Sequence, residues 1–252
     1  MNQRGLSKQL RSFFCIAISV IALTGSAFIA RSEGGDSPND AGIGQIEAEA
    51  KIIVVLGASY VESWNVTRPI AGYRLITKGV HGQQSFEMLE RFQYDVIALK
   101  PEAVIVWGFN NDVYRSDRAL IDQTLKRTKK SLLSMVQLAK QAGITPILAT
   151  DIFIRGKDEW LEGFKMWIGT VLAKDSYQDY ANRHVAEVNC WIRDTATREG
   201  IMLLDLETVF ADQQGLRRKD TAAPDGRHIS QGGYDALTYY IEDRLSRLIV
   251  AR

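Results

Sequence analysis

The amino-acid sequence predicts an α/β protein in which helices cover both faces of a parallel sheet. Short apolar runs alternate along the chain with longer amphipathic patterns of helical period. The first run, Ile52–Leu56, has five apolar residues, of which four are β-branched. It is too short for a helix and is typical of a strand that is buried on both faces. Alternating strands and helices favour crossover connections, which keep the strands parallel and place helices on both sides of the sheet.

The remaining strands and helices are predicted from the spacing of apolar residues and from the residues that end helices. Gly143 and Gly200 stand where two helical patterns stop, as expected for residues that end helices. Four further strands are expected at 73–77, 103–107, 144–149 and 201–205, and helices at 83–99, 118–142, 180–199 and 233–250.

Composition limits the possible functions. The chain has 252 residues, 46% of them hydrophobic, which is enough for one domain with a full core. Its net charge of +1 does not indicate a strongly basic surface, so we expect no nucleic-acid partner. Of the two cysteines, Cys15 lies near the amino terminus and Cys190 in the folded region, which excludes an internal disulfide there. No Cys/His cluster suggests zinc, and we expect neither a metal nor another cofactor.

The amino-terminal segment has the pattern of a secretory leader. The first 12 residues carry three basic side chains and no acidic one, and an apolar run, Phe13–Leu23, precedes small residues. The alternative is an uncleaved membrane anchor, because the apolar segment 13–30 is just long enough to span a bilayer. We therefore expect a signal peptide or anchor at 1–30, a flexible linker at 31–50 and one domain at 51–252. The protein should be exported, either free in the periplasm or medium or attached to the membrane.

A serine follows the first predicted strand directly. Gly57 and Ala58 connect the strand to Ser59, and in open α/β sheets ligands bind at the carboxyl ends of the strands. A serine in this position either caps a helix or acts as a nucleophile. The linker contains a literal Gly-Asp-Ser sequence ending at Ser37, but no strand precedes it and Pro38 follows. Nothing would hold that serine rigidly.

A histidine and an aspartate near the carboxyl terminus complete a possible catalytic set. Ester hydrolysis needs a nucleophile, a base, a group that orients the base, and donors for the oxyanion. His228 can be the base, since a neutral imidazole can accept the proton of the Ser59 hydroxyl. Asp225, three residues earlier, can hold the imidazole in the required tautomer.

Oxyanion donors are available on the same edge of the predicted sheet. The backbone N–H groups of Ser59 and Gly82 are candidates, together with one side-chain amide from Asn110 or Asn111. Both asparagines follow the third predicted strand, so either amide is a candidate.

Four short sequence blocks resemble those of the SGNH/GDSL hydrolase family. They are Gly57–Ser59, Thr77–Gly82, Gly108–Asp112 and Asp225–His228, in the family's order and at strand ends, although Ala58 replaces the usual aspartate. The resemblance covers about 51–250. It implies a three-layer α/β/α sandwich around a parallel, flavodoxin-like five-stranded sheet, and a lipolytic-type esterase or acylhydrolase activity.

The resemblance also implies which groups bind the oxyanion. In the family the last glycine of the second block donates, which is Gly82 here. An alignment without a gap before the third block makes Asn111 the donor, whereas an alignment on Gly108 selects Asn110. We favour Asn111.

Three aromatic residues are further candidates for substrate contact. His81 precedes Gly82 and either touches the substrate or is a partly exposed loop histidine. The segment 152–177 is longer than an ordinary strand-to-helix connection and contains Trp160 and Trp167 at helical spacing. Their common face either packs on the domain or forms a wall over an acyl or sugar site.

Three functions fit these residues. The first is a serine esterase that cleaves acyl or acetyl esters of a small molecule or polysaccharide. The second is an O-acyltransferase on an envelope or exported polysaccharide, which resolves the same acyl-enzyme with a sugar hydroxyl. The third is a non-catalytic carbohydrate-binding domain of the same fold. A binding domain has no need of an oriented Asp–His pair, which argues against the third.

Overall fold

A single parallel sheet organises the protein. The computed structural model describes residues 51–155 and 176–250. Five strands lie in the order β2-β1-β3-β4-β5, and every neighbouring pair is parallel. This is the flavodoxin-like order, so the predicted fold class is confirmed. The strands are β1 (Ile52–Gly57), β2 (Arg74–Gly79), β3 (Ala103–Trp107), β4 (Thr145–Ala149) and β5 (Met202–Leu204).

Helices of very different length connect the strands. Three of them have 20 residues or more, and the others have four to six. The longest ends at Gly200, whose left-handed φ of 61° suits glycine. The described helices are α1 (Ser59–Glu62), α2 (Ser85–Glu90), α3 (Phe92–Asp95), α4 (Asn110–Tyr114), α5 (Ile121–Gln141), α6 (Tyr177–Glu199), α7 (Leu206–Phe210) and α8 (Gln231–Val250).

Two hydrophobic cores lie on opposite faces of the sheet. Successive side chains of a strand point to opposite faces, and β1 is apolar at every position from Ile52 to Leu56. Val54 and Leu56 pack with α2 to α6, whereas Ile53 and Val55 pack with α1, α7 and α8. The protein is therefore a three-layer α/β/α sandwich, as the sequence predicts.

One predicted helix is wrong. The sequence predicts a continuous helix over 83–99, but the chain forms α2 and α3, with Arg91 between them at φ −95° and ψ 1°. The Arg91 guanidinium donates to the carbonyl oxygens of Gly57 and Lys78, at 2.8 and 3.0 Å, and to Asp95 Oδ2 at 2.6 Å. These contacts hold Arg91 against the ends of β1 and β2 and interrupt the helix. The apolar spacing did not predict the break, because it reflects only local sequence.

Several sequence predictions fall outside the described residues. These are the leader 1–30, the linker 31–50, and the aromatic residues Trp160 and Trp167. Within 51–155 and 176–250, no helix combines the length and the apolar character that crossing a bilayer requires.

We predict that Gly79→Ala destabilises the fold at the crossing of β2 and α1. A β-carbon at this position would lie 2.0 Å from the backbone nitrogen of Glu62 and 2.5 Å from its Cα. Backbone atoms cannot rotate away as a flexible side chain can, so the free energy of unfolding should fall by about 3 kcal/mol or more in urea titrations. Gly232→Ala is the control, because its nearest contact would be 3.6 Å. An unchanged midpoint for Gly79→Ala would show that α1 moves aside freely.

Candidate active site

Ser59 begins a short helix immediately after β1. Ala58 occupies the N-cap position without a side-chain cap, so the N-cap alternative for Ser59 is wrong. The turn before it requires glycine, because a β-carbon on Gly57 would lie 2.2 Å from Val61 Cγ2 and 2.3 Å from the Trp107 carbonyl oxygen. This close packing between β1, α1 and β3 fixes the Ser59 backbone at the carboxyl edge of the sheet.

Asp225 and His228 form a short hydrogen bond. His228 Nδ1 lies 2.5 Å from Asp225 Oδ2, and the backbone N–H groups of Arg227 and His228 both donate to Asp225 Oδ1 at 2.9 Å. Partial burial alone would raise the pKa of Asp225, but these hydrogen bonds outweigh it and lower the pKa to about 2. The carboxylate therefore stays ionised and holds a proton on Nδ1, which leaves Nε2 as an acceptor.

A cavity of about 230 Å³ opens at the carboxyl ends of the central strands. Asp225 lies outside its lining and binds two residues that line it, Arg227 and His228. The cavity therefore brings together predicted residues from four separate parts of the chain. Those that line it are Ser59, His81, Gly82, Asn110, Asn111 and His228.

Gly82 has a backbone suited to an anion donor. Its φ of 74° lies in the left-handed region, and a β-carbon there would meet nothing within 4 Å. Its N–H donates to no acceptor among the described residues, while Arg115 Nη1 donates to its carbonyl oxygen at 2.8 Å. Gly82 is thus held through its carbonyl oxygen, and its N–H is left for another partner.

Both candidate asparagines already use one N–H of the side-chain amide. Asn110 Nδ2 donates to the Ile152 carbonyl oxygen, and Asn111 Nδ2 donates to the Gln83 carbonyl oxygen, each at 2.9 Å. An amide has two N–H donors, so each retains one. Asn110 is only 6% exposed, whereas Asn111 is half-buried.

Asp112 links α4, the helix that carries both asparagines, to neighbouring helices. Its carboxylate accepts the backbone N–H and the hydroxyl of Ser85, both at 2.7 Å, and the hydroxyl of Thr128 at 2.8 Å. Burial raises the pKa of Asp112, and these hydrogen bonds oppose the rise. The contact fixes α4 against α2, which follows Gly82 in the chain.

His81 lies beside the imidazole of His228. The two rings stack with centroids 5.9 Å apart and an interplanar angle of 24°. The His81 side chain is exposed, and its Nδ1 lies 4.0 Å from Glu62 Oε2. His81 therefore borders the cavity at the imidazole, and substrate contact by His81 stays a prediction.

Asp151 also lines the cavity and is fully buried, and it was not among the residues predicted from the sequence. Its Oδ2 accepts the backbone N–H groups of Phe109 and Asn110, at 2.9 and 3.0 Å, and its Oδ1 accepts that of Ile152 at 3.0 Å. Burial raises the pKa of Asp151 to about 6, although these hydrogen bonds oppose the rise. Its position directly after the fourth strand was the available signal, because that is the ligand-binding edge.

Arg217, which is only 2% exposed, was not predicted from the sequence either. A basic residue in a polar loop normally indicates a solvated surface, so the sequence offered no signal for its burial. Its contacts run to the loop that carries His228.

Comparisons with known proteins find a matching family model and a similar enzyme. A model of the GDSL-like lipase/acylhydrolase family matches residues 55–236. The chain is similar to an acetylxylan esterase from Geobacillus stearothermophilus, with 30% identity over 133 residues. That alignment spans 50% of this chain and only 60% of the esterase.

Solved structures share the fold. A GDSL-like lipase from Bacteroides thetaiotaomicron aligns with a TM-score of 0.61 and 24% identity, over 79% of this chain and 89% of that one. A catalytic mutant of an acetylxylan esterase from Geobacillus stearothermophilus aligns with a TM-score of 0.58 and 19% identity, over 77% and 94% of the two chains.

We predict that Asp151 makes stability depend on pH between about 4 and 6. Because its folded-state pKa of about 6 exceeds the unfolded value, the folded state holds a proton that the unfolded state releases. The free energy of unfolding, relative to Asp151→Asn, should therefore be highest below pH 4 and fall by roughly 3 kcal/mol as the pH rises to about 6.

Urea titrations at pH 4 to 7 measure this difference. Asp122→Asn, which removes an exposed carboxylate from α5, controls for net charge. A wild-type and Asp151→Asn difference that stays constant over this range would contradict the prediction.

Proposed function

The chain belongs to the GDSL-like lipase/acylhydrolase family, and we propose that it is a serine esterase that cleaves acyl or acetyl esters. The observation that carries the proposal is the 2.5 Å contact between His228 and Asp225 at a cavity that Ser59 also lines. In this proposal Ser59 is the nucleophile, His228 the general base and Asp225 the group that orients the base.

The reaction would proceed through an acyl-enzyme. Ser59 Oγ attacks the ester carbonyl carbon while His228 Nε2 takes the hydroxyl proton. The tetrahedral oxyanion is stabilised by the N–H of Gly82 and a side-chain amide, which we assign to Asn111. When the intermediate collapses, the imidazolium donates its proton to the leaving alcohol. Water then attacks the acyl-enzyme by the same steps, and the free acid and Ser59 are regenerated.

The cavity favours a short acyl group. At about 230 Å³ it is smaller than the 300–1,000 Å³ of typical drug-sized ligand sites. An acetyl ester fits such a volume more readily than a long fatty acyl chain. The similarity to an acetylxylan esterase supports an acetylated saccharide as the substrate class.

An acyltransferase is the second candidate. It would use the same acyl-enzyme and replace water with a sugar hydroxyl as the acceptor. The two activities are distinguished by adding an acceptor sugar: a transferase forms the new sugar ester faster than it releases the free acid.

We predict that ester hydrolysis depends on Ser59 and favours short acyl chains. p-Nitrophenyl esters from acetate to palmitate, with acetylated xylan alongside, measure the preference. Ser59→Ala and His228→Ala should each lower kcat by roughly 10³-fold or more. A fluorophosphonate probe should label wild type and leave Ser59→Ala unlabelled.

Ser63→Ala is the matched control, because Ser63 is exposed at the end of the same short helix. Undiminished activity and labelling in folded Ser59→Ala would refute the proposed nucleophile. Loss of labelling only in Ser37→Ala would move that role to the linker.

We predict that Asn111 is the side-chain oxyanion donor. Its half-buried amide at the cavity retains one N–H, whereas Asn110 is almost fully buried. Asn111→Ala should lower kcat about 10²- to 10³-fold with little change in KM. Asn110→Ala breaks the contact with Ile152 and should mainly lower the melting temperature. If a large fall in kcat occurs only in folded Asn110→Ala, Asn110 and not Asn111 is the oxyanion donor.

A further inference from the structure

Arg217 is a buried cation that holds backbone carbonyl groups. Its Nη1 donates to the Arg227 carbonyl oxygen at 2.7 Å, and its Nη2 donates to those of His228 and Thr221, at 2.7 and 3.0 Å. A longer contact of 3.5 Å joins Nη1 to the Phe153 carbonyl oxygen. Within the described residues, all of these hydrogen bonds go to the main chain.

This arrangement is unusual for a buried guanidinium. Removing a charge from water is unfavourable by several kcal/mol, and buried arginines are normally paired with carboxylates. Burial lowers the pKa of Arg217, while Tyr60, Tyr114 and Asp225 act in the opposite direction. An arginine nevertheless stays charged in proteins. A residue needed only to fill this space would be apolar, which indicates a role for the charge or for its planar donors.

The contacts of Arg217 join the base to the helix of the nucleophile. The Arg227 carbonyl oxygen also accepts the Tyr60 hydroxyl at 2.8 Å, and Tyr60 follows Ser59 in α1. Arg217 and Tyr60 therefore meet on one carbonyl group directly before His228. A shift of this peptide would change the position of the imidazole relative to Ser59.

We propose that Arg217 is a positioning residue, which fixes the His228 loop against α1. The proposal rests on the proposed esterase function, in which a neutral imidazole is the base. The planar guanidinium binds two neighbouring carbonyl groups, those of Arg227 and His228, which gives an orientation that a single donor could not give.

Other groups also act on the imidazole. Asp225 accepts from Nδ1, the His81 ring stacks on one face, and the Tyr60 ring meets it edge-on with centroids 6.4 Å apart. Glu62 acts on the imidazole indirectly, because its Oε2 lies 4.0 Å from His81 Nδ1. All of them are retained in the variants of Arg217, so a change in kcat between wild type and variant reports on Arg217.

The test compares Arg217→Met, Arg217→Lys and a control, Arg218→Met. Arg218 carries the same charge one residue later and pairs with exposed Asp220 at 3.3 Å. Activity on an acetate ester is expressed per site labelled by a fluorophosphonate, which corrects for unfolded protein. Arg217→Met should lower kcat about 10- to 100-fold with KM nearly unchanged.

The other variants separate charge from geometry. Arg217→Lys keeps the charge but loses the planar pair of donors, so it should also lower kcat, with KM nearly unchanged. Arg218→Met should match wild type in kcat and in KM. If Arg217→Met does not fold, a wild-type kcat per labelled site in Arg217→Lys overturns the positioning role.

Nuclear magnetic resonance gives a measurement of the His228 ring that does not depend on turnover. The His228 ring signals of wild type and Arg217→Met are compared at one pH. Their chemical shifts should differ, because a displaced imidazole changes its position relative to the Tyr60 and His81 rings. Wild-type kcat and unchanged His228 ring shifts in folded Arg217→Met would show that Arg217 serves stability alone. Failure of the esterase function is seen separately, as wild-type protein that hydrolyses no ester and is not labelled at Ser59.

Discussion

The arrangement of the site depends on one hydrogen bond, between His228 Nδ1 and Asp225 Oδ2, in a loop without regular secondary structure. A loop of this kind holds a side chain in place only if its own peptide groups are bonded. Here the His228 carbonyl oxygen accepts from the Ala223 N–H at 2.9 Å and from Arg217, and Asp225 binds two N–H groups of its own turn. The dyad is therefore the end of a hydrogen-bonded network and not an isolated pair.

Two aspartates at the same edge of the sheet have opposite electrostatic character. Asp225 is partly exposed and has a pKa of about 2, because a histidine and two N–H groups stabilise its charge. Asp151 is fully buried and has a pKa of about 6, because burial outweighs its three N–H donors. The first suits a carboxylate that must stay ionised beside a base. The second binds Phe109 and Asn110, and so holds the start of α4 at the cavity.

The local sequence pattern was sufficient to predict the strands of the sheet. It was not sufficient to predict contacts between residues that are distant in sequence. β3 matches the predicted bounds because its five residues are apolar and buried, a pattern contained in the run itself. The break at Arg91 was missed because its partners, Gly57 and Lys78, are distant in sequence. Arg217 was missed for the same reason. The candidate site residues were identified because the carboxyl ends of parallel strands meet at one edge.

The proposed nucleophile and the proposed base are positioned by different means. Ser59 is placed by the strand before it and by the tight turn at Gly57, which are adjacent in the chain. His228 depends on groups from distant segments: Arg217, the Tyr60 hydroxyl, and the backbone after β4, where the Arg155 N–H donates to the Gly226 carbonyl oxygen at 2.8 Å. A short motif can therefore identify the serine, whereas the position of the imidazole depends on contacts that only the folded chain makes. Substitutions remote from both side chains should act mainly on His228.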